Sequence, residues 1–219
     1  MHVYAVPMSL GMTMRPYASA LAACAMLAGC GGGSDTVASS GTNAVSPDWR
    51  RVATSADRGR LRGWRGAWIN ALSHVDPTAI AREPALFDPD HSIAGAMPAP
   101  GAYRCRTFKL GARTGVGPTF TSYGWFACRI DRDLRGQLVF GKSSGSQRPV
   151  GTIYADTDTR SIFLGTMVLG DETRALDYGR DAGRDMAGVI ERIGPKRWRL
   201  VLPYPRFESV LDVVEFVPA

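Results

Sequence analysis

The sequence is poor in the residues that catalytic and metal sites draw on most. Of its three histidines only His74 and His91 lie beyond the first ten residues, so a multi-histidine metal site is excluded. No histidine follows His91, which rules out the Ser, acid, His order of the α/β-hydrolase triad. Four cysteines occur without any Cys-x-x-Cys, so a thioredoxin-like redox motif is absent. No apolar run reaches the roughly 20 residues that a membrane-spanning helix needs. Lysine is scarce too: Lys109, Lys142 and Lys196 are the only lysines among 26 Lys and Arg residues. An arginine-borne excess suits bidentate phosphate or carboxylate recognition, although codon usage accounts for it without any ligand. What is present is ordinary globular material. The chain has 219 residues, 45% hydrophobic and 21% charged, with a formal net charge of +6. That is enough for one packed domain plus appendages, and it excludes a disordered chain or a multispan membrane protein.

The first thirty residues carry one Arg (Arg15), no acid, an apolar stretch over 18–26 and then Leu27-Ala28-Gly29-Cys30. Charged, hydrophobic and small-residue regions in that order make a secretion signal. Leu-Ala-Gly-Cys resembles the bacterial lipoprotein lipobox, in which the thiol of Cys30 would take a lipid and become the first mature residue. Cleavage by ordinary signal peptidase without lipid, or retention as a membrane segment, are the alternatives. Removing residues 1–29 takes away only the charge of Arg15, so the mature chain stays modestly basic. In an exported protein that charge points to anionic lipid, peptidoglycan or solubility, and no nucleic-acid partner is expected.

The expected organisation is a signal over 1–29, a lipidated Cys and flexible tether over 30–47, a helical segment and linker over 48–100, and an antiparallel β domain over 101–219. The tether is Gly, Ser, Thr and Ala with one acid, Asp35. As a random coil it reaches on the order of 20–25 Å. After candidate caps Thr54 and Ser55, the residues Leu61, Trp64, Trp68, Leu72 and Val75 recur at three- and four-residue spacing, one apolar helical stripe. Arg58, Arg62 and Arg65 flank it, and with Arg50 and Arg51 they form either a lipid-facing patch or a solvated flank. Gly59, Gly63 and Gly66 each weaken such a helix by about 1 kcal/mol, so it needs tertiary packing. Asp76-Pro77 opens a further short helix, which Pro84 interrupts.

From Tyr103 the texture changes to short β-rich runs separated by turn clusters. Strands are predicted near 103–110, 119–130, 136–141, 149–154, 161–169, 187–193, 197–202 and 211–217. The expected class is α+β, mainly β: N-terminal helices before an antiparallel up-and-down β-barrel of lipocalin or avidin type, or a compact sandwich, of about eight strands. Helical patterns do not alternate with these strands, which argues against a doubly wound parallel sheet. Cys105 and Cys128 are symmetric about the turn-like Gly115-Val116-Gly117-Pro118. A simple hairpin therefore sets them opposite each other and pairs Phe108 with Trp125. A structural disulfide is expected in an oxidising compartment, with free or metal-bound thiols as the alternatives.

Two catalytic strings occur and overlap. Residues 136–143, Gly-Gln-Leu-Val-Phe-Gly-Lys-Ser, match the P-loop pattern, but its variable positions are themselves a strand and no helix start follows. Gly141-Lys142-Ser143-Ser144-Gly145 matches the nucleophile elbow, yet the triad histidine is missing. Both read as a hairpin loop, and a Lys142–Ser143 dyad would need adjacent side chains to converge on one proton. The longest connection, 170–185, interleaves Asp171, Glu172, Asp177, Asp181 and Asp185 with Arg174, Arg180 and Arg184. It is a self-paired ion network or a functional loop at a barrel mouth.

The stretch 48–219 resembles an uncharacterised bacterial envelope family, a domain of unknown function. The resemblance rests on the Trp64 and Trp68 helix, Tyr103-Arg104-Cys105-Arg106, Cys128, the run 145–151, Phe163-Leu164-Gly165, Tyr178-Gly179-Arg180-Asp181, and the runs 191–194 and Trp198-Arg199. It implies architecture and an envelope location, lipid-anchored through Cys30 and facing the periplasm at the outer membrane, but supplies no catalytic residue and no cofactor. Three functions fit. The first is a tethered barrel binding a small ligand, with Arg104, Arg106, Tyr123, Arg148, Tyr178 and Arg180 as candidate contacts. The second is an interaction or inhibitor domain acting through its loops on another envelope protein. The third is a hydrolase using carboxylates such as Glu191 and Asp185, which would have to converge in one cleft.

Overall fold

The computed structural model describes residues 48–219; the signal segment, Cys30 and the tether lie outside the described residues. The chain opens with helices that are held by their caps. The Asp48 side chain accepts from Arg50 N ahead of α1 (Trp49–Val52), and Thr54 accepts from Asp57 N at the start of α2 (Ser55–Arg62). The expected single stripe divides at Gly63, the junction with α3 (Trp64–Leu72). A β-carbon at Gly63 would sit 3.4 Å from the ring of Tyr204, so the break lets a distant loop pack against the helix pair. Asp76 caps α4 (Pro77–Ala81), and Pro84 restarts the chain as α5 (Pro84–Phe87). No helix among the described residues is long and apolar enough to cross a membrane.

Nine strands follow: β1 (Gly101–Ala112), β2 (Phe120–Ser122), β3 (Phe126–Arg132), β4 (Leu138–Lys142), β5 (Gln147–Ala155), β6 (Ser161–Leu169), β7 (Asp185–Gly194), β8 (Arg197–Pro203) and β9 (Ser209–Pro218). From β3 onward each is hydrogen-bonded antiparallel to the next, β3 pairs with the first half of β1, and β9 returns along β1 from Tyr103↔Pro218 to Ala112↔Ser209. The sheet closes as an eight-stranded up-and-down barrel, with β2 an extra short strand beside the second half of β1. Closure leaves no sandwich edge, which decides between the two β architectures.

The predicted strand over 119–130 is broken. β2 pairs with Phe108–Leu110 and β3 with Gly101–Cys105, and residues 123–125 bulge out between them. This corrects the expected hairpin register. Cys105 stands opposite Phe126, Tyr103 opposite Cys128, and Phe108 opposite Ser122 instead of Trp125. The turn is not the symmetric one assumed: Gly115 N bonds back to Ala112 O, and Gly111 N to Thr119 O. Cys105 and Cys128 still point to the same face, two residues out of direct register. They form a disulfide across a Cα–Cα distance of 5.8 Å, inside the bridgeable range.

Alternate residues point inward. Tyr103, Ile130, Phe140, Phe163, Ile190, Trp198, Leu200 and Phe216 pack one end of the barrel solid, with Trp198 stacked on Phe216 and Tyr103 edge-on to both. Gly151 and Gly165 face each other between β5 and β6, where a β-carbon on Gly151 would lie 2.4 Å from the Gly165 α-carbon. The missing side chains make room for the aromatic plug.

The helices cover the outside of the barrel. Trp68, fully buried, packs with Ala71, Leu86 and Phe87 onto Phe108, Leu110, Val201 and Val213, while Leu61 and Ala53 meet Ile162, Leu164 and Val189. Arg199 is buried in the same layer, paired with Glu191 at 2.7 Å and donating to Leu86 O, Asp88 O and His91 O. Its guanidinium lies 4.5 Å from the Trp68 ring centre. One cation thus satisfies the carbonyls at the end of α5, which would otherwise be buried unpaired.

Candidate functional site

Opposite the aromatic plug polar side chains join the apolar lining, and a cavity of about 180 Å³ opens. Its wall follows from strand parity. Thr107 and Lys109 come from β1, Phe126 from β3, Lys142 from β4, Gln147 and Pro149 from β5, Met167 from β6, Met186 from β7, Leu202 from β8, and Asp212 and Val214 from β9. Tyr123 reaches in from the bulge after β2, Gly145 and Ser146 from the β4–β5 turn, and Glu208 from the β8–β9 loop. That loop roofs the mouth. Tyr204 and Glu208 both hold left-handed backbone angles (φ 49° and 66°), and Arg113 fixes the loop by donating to Pro205 O and Arg206 O. Strained non-glycine residues persist only where surrounding contacts hold them. A second crevice beneath the roof, about 20 Å³ between Met167, Met186 and Phe207, has room for little more than a water.

The two lysines of the mouth differ. Lys109 Nζ lies 3.2 Å from Asp212 and 3.3 Å from Glu208. Burial pulls its pKa down, but the two carboxylates outweigh it and hold the amine above its ordinary value. Asp212 also accepts from Ser209 Oγ, which completes a buried polar cluster. Lys142, 7% exposed, forms no ion pair; its amine donates to Gln147 O at 3.0 Å and sits 3.8 Å from the Phe126 ring centre. Burial, with Arg148 and Lys109 adding repulsion, pushes the Lys142 amine down to about 8.

Of the six residues proposed from sequence as ligand contacts, Tyr123 lines this cavity. The other five are placed elsewhere and do not converge. Arg104 and Arg106 project from the outer face of β1 beside Trp125, at 5.2 and 4.9 Å from its ring centre, and Arg106 also pairs with Glu215 and Glu83. Arg148 ties turns together, donating to Gly145 O, Gly170 O and Glu172 O. The Tyr178 hydroxyl donates to Asp57 at 2.5 Å and accepts from Thr54 N, holding the 170–184 connection against α2. Burial and the Asp57 charge raise its pKa. Arg180 is exposed on the same connection. The proposed carboxylates Glu191 and Asp185 lie on the outer face of β7: Glu191 is 2% exposed under Arg199, and Asp185 accepts from Gly179 N. Among the described residues no group of three His, Cys, Asp or Glu side chains is arranged to hold a metal.

The P-loop and elbow strings fall on β4 and its turn, where Ser143 Oγ donates to Ala127 O. Their lysine, Lys142, points into the barrel instead of toward a phosphate. Lys109, Met167, Met186, Leu202 and Asp212 were missed in the sequence, and Lys142 was weighed only within the P-loop and elbow strings. A signal for three of them existed: Lys109, Lys142 and Asp212 are each the one charge on the inward parity of its strand.

Residues 49–216 match the model of a family described as a domain of unknown function (DUF4893), and the chain belongs to that family. Comparisons with curated proteins and with solved structures found no match.

Proposed function

Taking that membership as the premise, we propose that this member is a non-catalytic binding module. It holds one small, largely apolar ligand in the mouth of its barrel and is tethered to the outer membrane, facing the periplasm, by a lipid on Cys30. The observation that carries the ligand reading is the cavity: about 180 Å³, apolar over Phe126, Pro149, Met167, Met186, Leu202 and Val214, with one amine, Lys142, in no ion pair. A cavity of about 150 Å³ accommodates benzene, so the ligand is of the order of one ring or a short aliphatic chain carrying a single polar head. The head meets Lys142, and Tyr123 and Glu208 close over it. The lipobox-like Leu27-Ala28-Gly29-Cys30, the polar tether and the Cys105–Cys128 disulfide support the envelope location.

Methionine-methyl NMR tests the ligand site. Short alcohols and aldehydes titrated into the protein should shift the Met167 and Met186 methyls saturably and leave exposed Met97 unmoved; equal, non-saturating shifts at all three would refute a mouth site. A second reading, docking of another envelope protein on the mouth rim, is supported by exposed Val116, Tyr123 and Phe207 along a shallow groove beside it. Cys30→Ser should release the protein from membranes under either reading, and retention in the membrane fraction would sink the anchor.

A further inference from the structure

The polar head of the ligand can be specified further, on the premise that the mouth is a ligand site. We propose that the amine of Lys142 captures a small neutral aldehyde in the barrel mouth as a reversible imine.

Three features of the site support this. First, among the described residues that line the cavity Lys142 is the cation in no ion pair; Lys109 is engaged by Asp212 and Glu208, and Lys196 is exposed in the β7–β8 turn. Lysines desolvated in an apolar pocket near a second cation are the ones that act as amine nucleophiles. Lys142 fits that description, with Phe126 beneath its amine and Lys109 and Arg148 as the cations near it. Its depressed pKa leaves an appreciable fraction of neutral amine near neutral pH.

Second, the charges lining the cavity balance: Lys109 and Lys142 against Asp212 and Glu208. A neutral carbonyl enters this balanced lining without adding net charge to it. Third, the amine is held at the cavity wall by its hydrogen bond to Gln147 O, and Gly145 leaves the space beside it free, since a β-carbon there would lie 3.0 Å from Nζ.

The step balances without an oxidant or reductant. The Lys142 lone pair forms the C–N bond as the carbonyl π pair moves to oxygen, which takes a proton while the nitrogen gives one up. The hydroxyl then leaves as water, taking up through solvent at the open mouth the last proton that the nitrogen gives up as C=N forms, so both protons of the water come from the amine. Hydrolysis reverses the sequence and releases the aldehyde unchanged, so the site stores or carries the compound without transforming it.

The test treats the full-length protein with butanal and borohydride at neutral pH and maps the reduced adduct by peptide mass spectrometry. Lys142 should be alkylated roughly tenfold or more faster than exposed Lys196, because the desolvated Lys142 amine beside Phe126 is the activated nucleophile. Lys142→Arg, which keeps the charge, should lose only that adduct. Equal labelling of Lys142 and Lys196, or an unlabelled Lys142, overturns the proposal. The methionine-methyl titration with n-butanol, a ligand of the same body without the carbonyl, separates the premise from the inference. Saturable shifts at Met167 and Met186 without an aldehyde adduct overturn the imine and leave the mouth as a site; no shifts and no adduct overturn both.

Discussion

Lys109 and Lys142 line one cavity, and only Lys109 is answered by carboxylates. A buried cation in no ion pair costs stability, so a fold that keeps one has a use for it or a tolerance of it. The cost is measurable. In the folded state the Lys142 pKa is lowered to about 8 from its ordinary 10.5, so the unfolded chain binds more protons between those values. Stability therefore rises as pH climbs through that window, and the penalty is fully present below it. Lys142→Met should flatten this rise and raise stability at neutral pH, by up to about 2 kcal/mol once the lost Gln147 hydrogen bond is set against the gain. Denaturant melts of both proteins at several pH values check it; a variant clearly less stable than the parent at neutral pH would refute the account of Lys142.

Arg199 behaves in the opposite sense. It is fully buried and serves Glu191 together with four backbone carbonyls in and after α5, those of Ala85, Leu86, Asp88 and His91. Arg199→Ala should cost about 3–5 kcal/mol, because Glu191 is left charged and buried. Pairing it with Glu191→Leu should recover part of that loss. Urea unfolding of the single and double variants gives the comparison, and strict additivity would contradict a coupled pair.

The Cys105–Cys128 bridge closes a short loop around the β1 turn. Replacing both cysteines with Ser should lower stability by about 3 kcal/mol, most of it through the unfolded chain. Calorimetry under oxidising and reducing conditions reads the same quantity in the parent. Because the bulge over 123–125 lies within that loop, hydrogen exchange in β2 should rise more than in β8.

Gly151→Ala tests barrel closure. The added methyl would meet the Gly165 backbone, which cannot rotate away as a side chain can. The variant should lose about 1–3 kcal/mol, or more where the β5–β6 ladder has to open. Thermal unfolding would show it, and an unchanged midpoint would contradict the close approach of the two strands.

Much of this architecture is written in local patterns. The turn clusters after Tyr103 mark eight strands, and the Leu61, Trp64, Trp68, Leu72, Val75 stripe marks the helical surface that covers the barrel. Barrel closure is a nonlocal event: β9 returning onto β1 joins residues about a hundred positions apart, and no local period encodes it. The register of the first hairpin was illegible for a different reason, since one bulge between Ser122 and Phe126 shifts every later pair. At the site the difficulty was direction. Arg104, Arg106, Arg148, Tyr178 and Arg180 stand out by chemistry, but parity and loop packing place them outside the mouth. Lys109, Lys142 and Asp212 are each the one charge on the inward parity of its strand; period two from Cys105 turns Lys109 inward, while Lys142 and Asp212 need the pairings of β4 with β3 and of β9 with β1.

The mouth as a ligand site is tested most directly by native mass spectrometry of the full-length protein, purified without refolding. The parent should carry a discrete extra mass that is lost on denaturation, or take up one equivalent of added butanal, while Met167→Trp, which fills the cavity, stays bare. Identical bare ions from parent and variant, with and without butanal, would contradict the account.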